Sequence, residues 1–284
     1  MSVADAVARA AEAVATADAL LIGAGAGMGV DGGLPDFRGR QGFWNAHPPY
    51  AKLGFDFYGL ANPRWFHRDP ELAWGFYGHR LELYRSKPPH EGFPILRRWA
   101  ELMREGAFVF TSNVDGWFQR AGFPDDRVHE VHGAIGRLQC LAECGAGLFP
   151  ADGVSVEVDP ETMRAVGPLP NCPRCGALAR PNVLMFDDDG WDPSVASAQA
   201  ARHQAWLAKV VEAAARLVIV ECGAGTAVPT VRLHCERVAA LARAIPRATL
   251  VRVNPRDPHA PPDAISIPTG ALEALRAIDP LIQT

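Results

Sequence analysis

LLIGAGAGMGVDGGLPDFR, running from Leu20 to Arg38, decides the fold of this chain. Leu20, Leu21 and Ile22 form an apolar run that ends in glycines at 23, 25, 27 and 29. That pattern predicts a strand breaking into a tight turn. Glycine admits positive φ and lets the backbone come close to a bound group. A helix that starts there would point unpaired N–H groups at a phosphate. Gly-rich turns of this kind occur in many α/β loops. The tail Gly33-Leu34-Pro35-Asp36-Phe37-Arg38 narrows the reading, because it sets a carboxylate, an aromatic ring and a guanidinium just after the turn.

Outward from this segment, apolar β-rich runs recur at Ala19–Ile22, Ala107–Phe110, Val183–Phe186, Leu217–Val220, Thr249–Val253 and Ala264–Ile267. Helical periodicity runs from Val3 to Val14 and again over Phe93–Arg104, Ala196–Ala215 and Val231–Ala244. Strands alternating with helices predict an α/β fold, a Rossmann-like parallel sheet with helices on both faces. The continuous run Leu217-Val218-Ile219-Val220 fits a strand buried on both sides. Two stretches break the rhythm. Gly42 to Pro89 is rich in aromatics and proline, with a helix expected over Pro70–Tyr84, and Cys140 to Ala179 holds four cysteines. The expected division is a core of residues 1–41, 90–138 and 180–284, with a small zinc-binding and helical lobe formed by inserts 42–89 and 139–179.

The 284 residues suffice for a substantial core. A net charge of −4 gives no basic face for nucleic acid. No apolar run is long enough to span a bilayer, so neither nucleic acid nor membrane is an expected partner. The N-terminal stretch is Ala-rich and carries Asp5 and Glu12 rather than a basic segment, so no signal peptide is expected. A cytoplasmic protein is the expectation.

Cys140 and Cys144 are separated by three residues, Cys172 and Cys175 by two. Both spacings let the chain turn around one tetrahedral ion. Four thiolates form a closed shell, which predicts a structural zinc and leaves chemistry to other residues. The alternative is four scattered reduced thiols. Cys222 and Cys235 have no such partners and read as buried structural thiols.

After the run Ala107–Phe110 comes Thr111-Ser112-Asn113-Val114-Asp115, a polar cluster where open α/β sheets bind ligands. Asn113 can hydrogen-bond ligand hydroxyls and Asp115 can hold a polar group; the same residues can also simply cap the next helix. Further on, His129-Glu130-Val131-His132-Gly133 offers a general base at His132.

Taken together, these motifs resemble those of the sirtuins, NAD-dependent protein lysine deacylases. The order matches: Gly25-Ala26-Gly27 with Leu34-Pro35-Asp36-Phe37-Arg38, then Thr111–Asp115, then His132-Gly133, then the cysteine pairs. Later pieces fit as well: Arg180–Phe186, Gly223-Ala224-Gly225-Thr226 and Val253-Asn254. The resemblance implies NAD as cofactor, zinc as structural metal and an acyl-lysine protein or peptide as partner. It assigns Gly25, Ala26, Gly27, Gly223, Gly225, Thr226 and Asn254 to the dinucleotide, and Asp36, Phe37 and Arg38 to its nicotinamide end and phosphates. Ser112, Asn113 and Asp115 would line and orient that end, and His132 would be the general base. Val183, Leu184 and Phe186 would pair with the peptide as an added strand. The implied products are deacylated lysine, nicotinamide and O-acyl-ADP-ribose.

The chain departs from the family pattern at Gly29, where serine is usual, at Ser112 (glutamine), at Asp187 (glycine), and in Gly223-Ala224-Gly225, which lacks Thr-Ser hydroxyls. Tyr77 and Arg80 lie three apart on the predicted helix. They resemble the Tyr-x-x-Arg pair of sirtuins that remove succinyl or malonyl groups, the arginine meeting a distal carboxylate. The other reading of the pair is a surface helix with an inward aromatic and a solvated arginine. Two further functions remain open at the sequence level: an NAD-dependent ADP-ribosyltransferase or NAD glycohydrolase on the same fold, and a non-catalytic NAD- and zinc-binding module.

Overall fold

The computed structural model describes residues 2–35, 50, 54–242 and 248–282. Helix α1 (Val3–Ala15) opens on a reciprocal cap: the Asp5 N–H donates to Ser2 Oγ while Asp5 accepts from the Ser2 N–H. The quoted apolar run follows as β1 (Ala19–Ala24), every residue of it buried. It breaks at Gly25 into a single helical turn, α2 (Gly27–Val30). Four helices come next: α3 (Phe57–Leu60), α4 (Arg64–Arg68), α5 (Pro70–Ser86) and α6 (Gly92–Leu102). Then follow β2 (Ala107–Thr111), α7 (Trp117–Arg120), β3 (Val128–Glu130) and β4 (Gly133–Cys140). Short strands β5 (Phe149–Pro150), β6 (Glu157–Val158) and β7 (Ala165–Val166) lead to β8 (Ala179–Val183). The chain ends with α8 (Ser194–Glu212), β9 (Leu217–Cys222), α9 (Thr230–Ala242), β10 (Ala248–Val253), β11 (Ile265–Ile267) and α10 (Ala271–Ile282).

Six strands form one parallel sheet in the order β3-β2-β1-β9-β10-β11, the doubly wound order of dinucleotide-binding folds. Alternate side chains feed two cores. Leu20, Ile22, Val109, Val218 and Val251 pack towards α1, α6 and α10. Leu21, Phe108, Ile219 and Leu250 pack towards Trp206 and Val210 of α8 and Val231 and Val238 of α9. Helices therefore cover both faces, as the alternation predicts.

One strand expectation needs correction, and one strand was not expected. The run Val183–Phe186 is not a strand of the parallel sheet. The strand is Ala179–Val183, antiparallel to β4 in a separate three-stranded sheet, and the chain leaves it at Leu184 to wall a cleft. Conversely, Val128-His129-Glu130 is a fully buried edge strand, hidden in the sequence by its polar letters. The two inserts do pack on each other. Trp74 Nε1 of α5 donates to the Ala179 carbonyl (2.9 Å), and Tyr50 Oη to that of Met163 (3.2 Å).

Candidate active site

Reversal of strand order between β1 and β9 leaves a crevice outside their carboxyl ends, where such sheets bind ligands. Both strands end there in glycine loops, and the loops interlock: the Gly25 N–H donates to the Cys222 carbonyl and the Gly27 N–H to that of Gly223, each at 3.0 Å. The glycines are needed for close approach more than for handedness. A Cβ on Gly25 would lie 2.7 Å from Ala224 Cα, although Gly25 itself has ordinary φ. Gly223 needs both, with φ +63° and a would-be Cβ 2.4 Å from Met28 N. Two backbones thus meet with no side chain between the strand ends and the cleft.

At the end of β2, Thr111 Oγ1 donates to the Ala24 carbonyl (2.9 Å) and accepts from the Asn113 N–H (3.0 Å). Asn113 Nδ2 donates to the Gly25 carbonyl (3.1 Å), locking the polar turn onto the first glycine loop. Asp115 Oδ1 accepts from the Trp117 N–H (2.9 Å), starting α7. Desolvation in the cleft, with Glu130 nearby, pushes the Asp115 carboxyl up to about 6.

His132 stands between β3 and β4. Its carbonyl accepts from the Leu184 N–H (2.9 Å) and its Nε2 lies 3.5 Å from Thr230 Oγ1 at the start of α9. Burial holds its pKa below the usual histidine value, while a hydrogen bond with the Ser112 backbone pulls it partly back up. The following Gly133 has φ +75°, and a Cβ there would lie 2.1 Å from the Asn182 carbonyl oxygen, so any other residue would move the histidine.

Helix α5 brings Tyr77, Arg80 and Tyr84 to the same cleft. The reading of Arg80 as a solvated surface residue is overturned: it is 6% exposed, and its guanidinium lies between aromatic rings, 5.6 Å from Phe57 and 5.3 Å from Phe76. The cleft is about 330 Å³. Gly25, Ala26, Ser112, Asn113, Asp115, His132, Val183, Leu184, Phe186 and Gly225 also line it. Gly27 and Gly223 back it from behind through the loop contacts above. Thr226 is exposed and borders a separate groove with Arg256 and the proline-rich loop. The Asn254 side chain is held by backbone, Nδ2 donating to Ala224 O (2.8 Å) and Oδ1 accepting from the N–H groups of Arg256 and Asp257. Asp36, Phe37 and Arg38 lie outside the described residues.

Asp187 adopts φ +55°, the left-handed conformation that glycine would take without strain, and Asn62 Nδ2 donates to its carboxylate (3.2 Å). Two residues lining the cleft, Phe57 and Tyr84, and one beside it, Thr230, carry no mark in the sequence analysis. Thr230 is near His132 only through the tertiary fold. Phe57 lies in an insert with no periodic signal. Tyr84, one helical turn beyond Arg80, was open to the same spacing argument that picked out Tyr77.

Away from the cleft, the sulfurs of Cys140, Cys144, Cys172 and Cys175 lie within 4.8 Å of one another, with Cys140–Cys175 at 3.5 Å and Cys144–Cys172 at 3.6 Å. Tetrahedral zinc–thiolate bonds of about 2.3 Å put sulfurs roughly 3.8 Å apart, so this all-sulfur set fits one structural zinc.

A sequence model of the Sir2 family matches residues 25–213. The chain belongs to the Sir2 family. Among relatives, this Sir2 chain is 34% identical over 164 residues to an NAD-dependent protein deacylase of Aquifex aeolicus, a match covering 58% of this chain and 59% of the relative. It is 34% identical over 192 residues to the mitochondrial NAD-dependent protein deacylase sirtuin-5 of Danio rerio, covering 62% and 59%. The chain thus spans under two thirds of the length of these curated relatives. Among solved structures, an ADP-ribose complex of a Sir2 homologue superposes with a TM-score of 0.68 at 25% identity, covering 97% of this chain and 96% of that one. An NAD complex of a Sir2 homologue gives 0.65 at 25% identity, covering 97% and 92%.

Proposed function

We propose that this Sir2 protein is an NAD-dependent protein lysine deacylase, consuming NAD and acyl-lysine to give lysine, nicotinamide and O-acyl-ADP-ribose. One observation carries the reading: His132, Asn113 and the two interlocked glycine loops face one cleft at the strand-order reversal. The names of the Aquifex and Danio relatives support it. The side-chain-free cradle formed by Gly25 and Gly223 fits a dinucleotide, as the Sir2 homologue bound to NAD illustrates. The division into a dinucleotide core of residues 1–41, 90–138 and 180–284 and a small lobe of 42–89 and 139–179 belongs to the same reading, with a cytoplasmic setting.

When bound, NAD supplies an electrophilic ribose carbon. The chain's own residues do the rest. Asn113, fixed on Gly25, presents its amide towards the cleft. His132 accepts a proton at a ring nitrogen; its lowered pKa keeps it unprotonated and ready as a base at neutral pH. Val183, Met185, Phe186 and Val231 give the cleft apolar walls that exclude water, and so suppress plain hydrolysis. Thr226 and Asn254, held off the cleft, would act from the adenosine side, Asn254 by shaping the Ala224 loop. The four cysteines would hold zinc and order the insert.

Arg80 and Tyr77 inside the cleft favour an acidic acyl group, succinyl or malonyl, over acetyl. Nicotinamide release from NAD with acetyl-, succinyl- and unmodified-lysine peptides tests both levels. Release only with acylated peptide supports the deacylase; equal release with all three, or without peptide, supports a glycohydrolase or transferase instead. His132→Ala should lower peptide-dependent release roughly 100-fold or more, and full activity in that variant would remove the assigned base.

A further inference from the structure

One hydrogen-bonding side chain of the cleft lies outside the Tyr77–Arg80 pair. Tyr84 is 5% exposed and lines the cleft. Its phenol oxygen accepts from Arg80 twice, from Nε at 3.1 Å and Nη2 at 2.6 Å. An oxygen that already accepts two charge-assisted N–H bonds directs its own proton elsewhere, and cooperativity strengthens it as a donor. Its main-chain carbonyl accepts from Trp117 Nε1 (3.2 Å) and Arg120 Nη1 (2.5 Å), so the turn that carries Tyr84 is pinned. Tyr77, 1% exposed, has a hydroxyl with no hydrogen-bond partner among the described residues. Burial raises both phenols, so both keep their protons at neutral pH. An unpaired buried hydroxyl is costly, and a group that supplies acceptors alone would relieve it.

We propose that Tyr84 is a third acyl-selecting residue: with Tyr77 and Arg80 it forms a donor set for the distal carboxylate of a dicarboxylic acyl-lysine, and it aims the Arg80 guanidinium at that carboxylate. The inference rests on the deacylase reading of the same cleft. Arg80 and Tyr84 share a helix face one turn apart, and the phenol grips the Nε–Nη2 edge of the guanidinium, the edge a carboxylate would otherwise take side-on. An entering carboxylate therefore meets arginine and phenol together. An acetyl group has no distal acceptor to offer the Tyr77 hydroxyl, and a succinamoyl amide offers one oxygen without the charge that Arg80 meets. Among the described residues Asp115 is the one acid lining the cleft, and its Oδ1 accepts from the Trp117 N–H.

The test uses the zinc-loaded full chain, NAD and three peptides that differ only at lysine: succinyl, acetyl, and succinamoyl, in which an amide replaces the carboxylate. The wild-type protein should turn over the succinyl peptide at least about tenfold more efficiently than the succinamoyl one, the scale of a hydrogen-bonded charge. Tyr84→Phe should cost the succinyl peptide roughly tenfold in kcat/KM, chiefly through KM, and leave the acetyl peptide within about twofold. Equal loss with all peptides would make Tyr84 merely structural and overturn the inference, as would no loss at all. Turnover of none of them by wild type would overturn the deacylase reading itself. A second measurement needs no folded Tyr84 variant. The chain has four tyrosines, so fluorotyrosine labelling gives few 19F signals, and Phe replacement of the other three assigns Tyr84 by elimination. Its signal should shift with the succinyl peptide and stay put with the succinamoyl one; the same shift with both overturns the assignment.

Discussion

Arg252 and Glu221 face each other in register on neighbouring parallel strands and form a fully buried ion pair, Nε to Oε1 at 2.6 Å and Nη2 to Oε2 at 2.8 Å. The same guanidinium reaches Glu236 Oε1 on α9 (2.8 Å) and the His259 carbonyl (2.7 Å). One arginine therefore ties two strands, a helix and the proline-rich loop beside Asn254. Removing only one member leaves a charge buried without its partner, which costs about 3–5 kcal/mol. Arg252→Met should lower the unfolding free energy, read from denaturant titration, by that amount, and the double variant Glu221→Leu/Arg252→Met should recover most of it. A single variant as stable as wild type would show the pair to be unimportant.

Metal removal should act on the insert and not on the sheet. The four sulfurs hold together β4, the chain just beyond it and the Cys172–Cys175 knuckle, and β8 follows only a few residues later. Elemental analysis should find about one zinc per chain. Chelation should make residues 139–179 protease-sensitive and lower the melting temperature while most far-UV helix signal remains. Chelator-insensitive melting without bound metal would return the cysteines to plain thiols.

Legibility in the sequence followed burial. Strands β1 and β9 are covered on both faces, so their apolar runs Ala19–Ile22 and Leu217–Val220 stand where predicted, with the buried Glu221 of β9 paired to Arg252. Strand β3 is just as buried, but Glu130 is accommodated by Arg137 (2.6 Å) and by Gln199 of α8. Partners 7 and 69 residues away leave no local pattern. The run at 183–186 has strand letters for a different reason: it walls an apolar cleft and turns at Asp187. Motif spacing led to Asn113, Asp115 and His132, because loops at strand ends carry function in fixed order. Tyr84 follows Arg80 by one helical turn and shares its spacing signal, whereas Thr230 meets His132 only because α9 lands beside it, and no spacing within the chain announces that.

Three histidines should make the fold acid-sensitive. His129, His203 and His234 lie among Phe108, Phe110 and Trp206, with ring centroids 5.9 Å apart for His129–His203 and 5.0 Å for His203–His234. Burial, the dominant cause, holds them down to about 4, 3 and 4; Arg202, Arg237 and the histidines themselves add repulsion. Their folded values lie below the unfolded value of 6.5, so the unfolded chain takes up protons first. The stabilisation is complete above about pH 6.5 and is lost as pH falls from there towards about 4. Urea midpoints should drop across that window, and His203→Phe, which keeps the stacking, should flatten the drop. An unchanged slope in that variant would place the acid sensitivity elsewhere.

Asp115 should make acyl preference depend on pH. Its carboxyl, pushed up to about 6, shares the cleft with Arg80 and Tyr84. Above that value it is ionised and repels a substrate carboxylate bound to Arg80; below it the proton removes the repulsion while a succinyl group, of ordinary carboxylic acidity, stays largely charged. The ratio of succinyl to acetyl kcat/KM should therefore rise as pH falls from about 8 to about 5.5. Taking a ratio cancels any change in His132 common to both substrates. Asp115→Asn keeps an acceptor oxygen for the Trp117 N–H but carries no charge, so its ratio should be flat and stay at the low-pH level. A ratio that stays constant in the wild type, or that keeps its slope in Asp115→Asn, would mean that Asp115 and the acyl carboxylate do not sense one another.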